Sequence, residues 1–225
     1  MKAGTARRGL SLALLVAVSA AGACDSPTVP ERSGGYDFSL PGPDLVFHWG
    51  PGAQVRVFVS EEPAGRAAAL ADAFDAATAA WATAAPFGEF TIRRATSVAA
   101  ADVVLAWADG PFPVQTAECL PSGGGLGLTT FCLTADNEDF VRFPVSGGGQ
   151  SDVFFLVTIS ASIVDDQTLL RRLVTHELGH ALGLFRHSPN PGDLMFGGEL
   201  VPDLPTEADR ATIFALYHSP RDLRP

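Results

Sequence analysis

The sequence predicts an α+β fold, on three observations. Short runs rich in valine, phenylalanine and isoleucine, at residues 54–60, 90–94, 101–108 and 153–159, have the length and composition of strands. Two longer stretches, residues 63–85 and one beginning at Asp165 and Asp166, space their apolar residues as helices do. Hydrophobic residues make up 47% of the 225 positions, enough for one domain with a full core once a leader is set aside.

The first 23 residues read as an export signal. Lys2, Arg7 and Arg8 precede an apolar run over residues 10–21 that is too short to span a bilayer. The run closes in Ala21-Gly22-Ala23-Cys24, which resembles a bacterial lipoprotein signal. That resemblance implies a lipid on Cys24 and a membrane-anchored protein, periplasmic or at the cell surface. Ordinary cleavage near the same place, giving a secreted protein, is the alternative. Removing residues 1–23 takes the formal net charge from −10 to −13, because they carry those three cations and no acid. So acidic a surface disfavours nucleic acid and anionic lipid as partners, and membrane contact is expected only through the anchor. Residues 24–44 are rich in Ser, Pro and Gly and read as a flexible tether. Residues 45–225 read as the domain, expected to act as a monomer.

Within the domain, residues 54–60 (Gln-Val-Arg-Val-Phe-Val-Ser) alternate as a half-buried strand does. Residues 63–85 are dominated by alanine, with Leu70, Phe74, Ala77 and Trp81 at helical spacing, and Pro86 and Gly88 stop that helix. Trp81 reads as a core anchor. Residues 90–94 form a second strand, and the unbroken apolar run at 101–108 suits a third inside the sheet. Cys119 and Cys132 flank a glycine-rich stretch that reads as a flexible loop returning into a strand-like run. With Cys24 lipidated they are an even pair, and a disulfide between them suits an oxidising compartment; two buried free thiols are the alternative. Residues 126–134 read as a fourth strand, although the glycines at its start fit a loop equally well.

Asp136-Asn137-Glu138-Asp139 offers oxygen donors of the kind calcium takes. It lacks the alternating ligands of a known calcium loop, and a solvated acidic turn is the better reading. Residues 153–159 give the last strand. Asp165 and Asp166 favour a helix start through capping and the helix dipole. Leu170, Val174, Leu178 and Ala181 then form its buried face. Thr206 with Asp209 has the form of a capping arrangement that opens a final helix through Leu216. His48 and His218 read as core or surface histidines, not as ligands.

The chemistry concentrates at residues 176–187, His-Glu-Leu-Gly-His-Ala-Leu-Gly-Leu-Phe-Arg-His. Residues four apart on a helix share a face, so His176 and His180 can present two imidazoles to one ion. Imidazole nitrogen suits zinc, which a catalytic site holds with three protein ligands and one open position. Glu177 stands beside the first histidine, placed to accept a proton from water. Gly183 can take a left-handed turn that ends the helix, and His187 and Met195 follow.

Over roughly residues 175–196 the chain resembles the metzincin metallopeptidases, and among them the matrixin-like branch. The family pattern is His-Glu-x-x-His-x-x-Gly-x-x-His followed by a turn carrying methionine; His176, Glu177, His180, Gly183 and Met195 match it. Here three residues, Leu184, Phe185 and Arg186, separate the glycine from the next histidine where the family has two. Arg186 cannot ligate a cation, so His187 stands in as the third histidine, one residue late. The resemblance implies a zincin-like fold: a twisted mixed sheet, two long helices above a cleft, and a small C-terminal subdomain with a final helix. It implies one catalytic zinc on His176, His180 and His187, Glu177 as the base, and Met195 as an apolar floor. It also implies hydrolysis of protein or peptide substrates laid along an edge strand, for which residues 126–130 are the candidate. The wall of the pocket beyond the cut would come from residues 196–203. Gly197 leaves no tyrosine ligand two residues after Met195. Two other readings remain. A glutamate-type zincin would take its third ligand from Glu207, and a non-catalytic surface lipoprotein would use the metal only for stability.

Overall fold

Val55, Val57 and Val59 turn into the main core and Gln54 and Arg56 away from it along β1 (Ala53–Val59), the period-two alternation of a strand. β1 is an inner strand of an α+β fold. In this computed structural model the described residues are 35–42, 44–109, 119–134, 136, 139–145 and 152–225. The segment read as an export signal, and Cys24 with it, lies outside them. Among the described residues no helix is long and apolar enough to cross a membrane.

From β1 the chain passes through α1 (Ala67–Ala84) to β2 (Phe90–Arg94), which pairs parallel with β1. β3 (Val103–Ala108) lies parallel on the other side of β1. Its unbroken apolar run has a two-sided cause. Val103, Leu105 and Trp107 enter the main core, while Val104 joins Ala101, Val145 and Val153 in a smaller cluster on the opposite face. β4 (Cys119–Gly124) and β5 (Gly127–Leu133) form a hairpin, with β6 (Phe140–Val141) pairing the far end of β5. β7 (Phe143–Pro144) and β8 (Asp152–Val153) make a separate two-stranded ribbon. β9 (Phe155–Ser160) then inserts between β3 and β5, parallel to the first and antiparallel to the second. The strand order is β2-β1-β3-β9-β5-β4, a mixed sheet.

The hairpin corrects two expectations. The stretch between Cys119 and Cys132 is paired strand, not flexible loop, and the disulfide joins directly opposed positions of β4 and β5. Residues 126–130 are also not the sheet edge: β5 is flanked by β9 and β4, so β4 is the outer strand. Two of the four positions of the acidic turn, Asn137 and Glu138, lie outside the described residues.

α2 (Gln167–Ala181) starts where Asp166 accepts a hydrogen bond from the Leu169 amide at 2.9 Å. Alanines at 73, 77, 80 and 84 bury one face of α1 with Trp81, letting α1 and α2 pack closely. The indole N–H of Trp81 donates to the Thr175 carbonyl at 2.8 Å and that of Trp49 to the Ala181 carbonyl at 2.9 Å. The Tyr217 hydroxyl donates to the Leu182 carbonyl at 3.1 Å. Three buried aromatic donors thus meet carbonyls of the helix that carries the histidines, two of them at its C-terminal end, where helix geometry leaves carbonyls without internal partners. α3 (Glu207–Tyr217) opens with the capping box of Thr206 and Asp209.

Residues 35–42 and 44, expected to belong to a tether, pack on the domain. Leu40 is fully buried, and Tyr36 bonds α3 through its amide to Thr212 Oγ1 and through its hydroxyl to Asp209.

Candidate metal centre

His176 and His180 lie one turn apart on α2, both buried, with ring centroids 4.8 Å apart. His187 arrives from the chain beyond the helix, its ring 5.2 Å from that of His176 and 5.0 Å from that of His180. One ligand atom from each of the three lies within 4.8 Å of the others, the metal-capable group among the described residues.

What brings His187 back is the way α2 ends. Gly183 has φ +112°, and a Cβ there would meet the Phe47 carbonyl oxygen at 2.3 Å. The Leu184 amide donates to the Gly179 carbonyl and the Gly183 amide to the His180 carbonyl, both at 3.0 Å. This is the six-to-one and five-to-two pair of a Schellman turn, which reverses the chain. Leu184 and Phe185 then enter the core, Phe185 against Phe131 at 4.9 Å between centroids. Arg186 points the other way and pairs with Asp37 at 2.8 Å and Asp44 at 2.5 Å. The longer spacer is accommodated by this division: two apolar residues in, one cation out, and the next residue back at the cleft.

The imidazoles are set for ligation. Nδ1 of His176 lies 2.8 Å from the Leu194 carbonyl, and Nδ1 of His180 lies 2.5 Å from the Leu184 carbonyl. A proton on each Nδ1 turns the Nε2 lone pair to the cluster, the usual device for fixing a ligating tautomer. Burial pushes the pKa of His176 down to about 4 and that of His180 well below the ordinary histidine value. Burial lowers His187 as well, although its ring is exposed at the cleft mouth. Neutral imidazoles at pH 7 are what a metal needs. Nitrogen donors at ~2.1 Å from one tetrahedral ion stand roughly 3.4 Å apart, so the three rings would have to draw closer on binding. The residues fit a metal ion.

Glu177 is almost wholly buried, and burial raises its carboxyl pKa to about 8 against the lowering effect of Thr129. Thr129 Oγ1 lies 2.7 Å from Glu177 Oε2 and 3.0 Å from the Glu177 carbonyl oxygen. A Cβ on Gly127 would come within 2.5 Å of Glu177 Oε1. Neither Thr129 nor Gly127 was singled out from the sequence. A glycine inside a strand does signal close approach of another group, but only once the strand itself is recognised.

Met195 is fully buried and lies against α2 at Gly179. A Cβ on Gly179 would meet its Sδ at 2.5 Å and Trp81 Cζ2 at 2.8 Å. Asp209 holds the turn that carries Met195, accepting from the amides of Leu194 at 2.9 Å and Met195 at 3.2 Å. Beside the histidines and Glu177 opens a cavity of about 350 Å³ whose walls include Leu126, Leu169, Leu173, Phe196 and Leu200. Glu207 is exposed and stands outside the histidine group. His48 is buried and His218 exposed, both away from it. Comparison with protein-family models gives no match, and comparison with curated proteins gives none either.

Proposed function

We propose that the chain is a zinc-dependent endopeptidase of the metzincin kind, exported and anchored through a lipid on Cys24. The observation that carries this is the convergence of His176, His180 and His187 next to a buried Glu177 at the head of a cavity. Three neutral imidazoles and an open side favour zinc in a catalytic rather than a structural setting. Zinc held there supplies Lewis acidity and a water of lowered pKa.

The chain's own residues do the rest. Glu177 accepts a proton from the attacking water and delivers it to the leaving amine. A carboxyl whose pKa burial raises toward neutrality suits both halves of that transfer. Leu169, Leu173 and Leu200 exclude water on one side and receive a substrate side chain. The outer edge of β4, with the Gly125-Leu126 turn at the rim, offers backbone groups to an extended peptide.

Cleavage of unfolded casein by the zinc-loaded protein tests the reading. We expect activity that chelation abolishes and zinc restores. Glu177→Gln is expected to bind zinc as the parent does and lose at least about 100-fold in kcat. Zinc binding with no cleavage of any protein or peptide would leave a binding module instead.

A further inference from the structure

Gly127 and Thr129 are two residues apart on β5 and therefore face the same side, toward α2. They meet the two oxygens of one carboxylate differently. Thr129 is fully buried, and its hydroxyl is within bonding distance of Oε2 and of the main-chain oxygen of the same glutamate. Gly127 presents bare backbone to Oε1, where any side chain would collide. One oxygen is held by a hydroxyl and the other lies against bare backbone. Glu177 itself borders the cavity with His176 and His187, the side from which substrate and water would arrive.

We propose that Thr129 is a positioning residue that anchors Oε2 of Glu177 and thereby commits Oε1 to proton transfer. The proposal rests on the endopeptidase reading. The proton leaving the nucleophilic water goes to Oε1; as the new C–O bond forms and the C–N bond breaks, Oε1 returns that proton to the amine nitrogen. Oε2 keeps its bond from Thr129 throughout, so the base does not swing between two positions. A hydroxyl serves here because it is short, rigid on a β-branched side chain, and held by the strand.

The test compares Thr129→Ala and Thr129→Val, which lack the hydroxyl, with Thr129→Ser, which keeps it. The proteins are full mature chains with zinc, cleaving one fluorogenic peptide. Without the hydroxyl, kcat is expected to fall about 10- to 100-fold, the worth of a hydrogen bond to a charged group, with KM within about twofold and zinc content unchanged. Thr129→Ser is expected to recover to within about threefold of the parent. A second readout needs no activity: a double-mutant cycle of Thr129→Val with Glu177→Ala in urea unfolding of the metal-free protein. Coupling of about tenfold or more in the unfolding constant supports the anchoring. Additive unfolding overturns the proposal, and so does an unchanged kcat in both hydroxyl-less variants or a Thr129→Ser enzyme as slow as Thr129→Ala. Coupling in a parent protein that cleaves nothing supports the anchoring of Oε2 and overturns the endopeptidase reading alone.

Discussion

Asp209 and His176 grip opposite ends of one peptide group. The Met195 amide donates to Asp209 Oδ1 at 3.2 Å, and the carbonyl of the same peptide, that of Leu194, lies 2.8 Å from His176 Nδ1. A negative charge on α3 is thus relayed through a backbone dipole to a histidine on α2. The charge of Asp209 raises the His176 pKa, though by less than burial lowers it. Asp209 is fully buried, and both its oxygens accept: Oδ1 from Tyr36 and Met195, Oδ2 from the amides of Leu194 and Thr206.

Asp209→Asn is the informative change. Either orientation of the amide sets an NH2 group against a buried backbone N–H, so at least one hydrogen bond is lost without space being made. Each such loss costs about 1–3 kcal/mol, and we expect about 2–4 kcal/mol in denaturant unfolding of the metal-free protein. The freed Leu194–Met195 peptide also no longer orients His176. Zinc affinity, read by chelator competition, should fall about 10- to 100-fold, the usual effect of losing a residue that orients a ligand.

Gly179 sets two effects against each other. Alanine in a helix interior is favoured over glycine by about 1 kcal/mol. A Cβ at 179, however, would stand 2.5 Å from Met195 Sδ and 2.8 Å from Trp81 Cζ2, both on fully buried side chains. Overpacking of that kind costs about 1–3 kcal/mol, and here it wins because Trp81 is pinned by its bond to Thr175. Gly179→Ala should lower the urea midpoint and weaken zinc binding together. Gly192→Ala, whose Cβ meets nothing nearer than Asn190 Oδ1 at 3.4 Å, should shift stability by under about 0.5 kcal/mol. A neutral Gly179→Ala would mean that Met195 is free to move and is no floor at all.

His48 makes the fold acid-sensitive away from the centre. Its Nδ1 accepts from the Gly50 amide at 3.1 Å, and its Nε2 lies 3.1 Å from the Ser219 carbonyl, so both ring nitrogens are used in the neutral form. Burial lowers its pKa, and the charges of Arg221 and His218 push the same way. As pH falls below about 6.5 the unfolded chain takes up a proton that the folded His48 refuses. Stability from this group is therefore complete above that pH and is lost as the pH drops toward the lowered native value. Urea unfolding at pH 8, 6.5 and 5 should show a smaller pH dependence in His48→Asn than in the parent. Equal slopes in the two proteins would remove His48 from the account.

The start of α2 at Asp166, the capping box at Thr206 and Asp209, and the strands beginning near Gln54, Phe90 and Val103 were legible because their signals are local. The pairing of His176 with His180 was legible for the same reason, since helix geometry alone relates them. The β4–β5 hairpin was not. Gly123, Gly124, Gly125 and Gly127 read as loop in isolation; the pairing that makes strand of Gly123, Gly124 and Gly127 is that of β4 with β5, backed by β9 and the disulfide, and Gly125 is the turn between them. Tyr36 and Leu40 were lost in a segment whose Ser, Pro and Gly content suggests a tether; their partners are 173 residues away at Asp209 or in the core. Thr129 carried no motif, and its role depends on which residue of α2 β5 happens to cross.

The longer spacer before His187 yields the sharpest contrast. Leu184 and Phe185 are core residues, Arg186 is committed to Asp37 and Asp44, and only His187 faces the other two rings. Arg186→Ala removes two exposed ion pairs worth at most about 1 kcal/mol each and should leave zinc affinity within about tenfold of the parent. His187→Ala removes a proposed ligand and should cost more than the roughly 100-fold at the upper end for supporting residues. The difference appears without any substrate. Free zinc at 100 times its dissociation constant stabilises the parent by about 2.7 kcal/mol, and the same concentration should stabilise Arg186→Ala nearly as much and His187→Ala scarcely at all. The reverse pattern, with zinc lost on replacing Arg186 and kept on replacing His187, would mean that the third ligand comes from elsewhere and that the chain beyond Gly183 does not return to the cleft as a ligand.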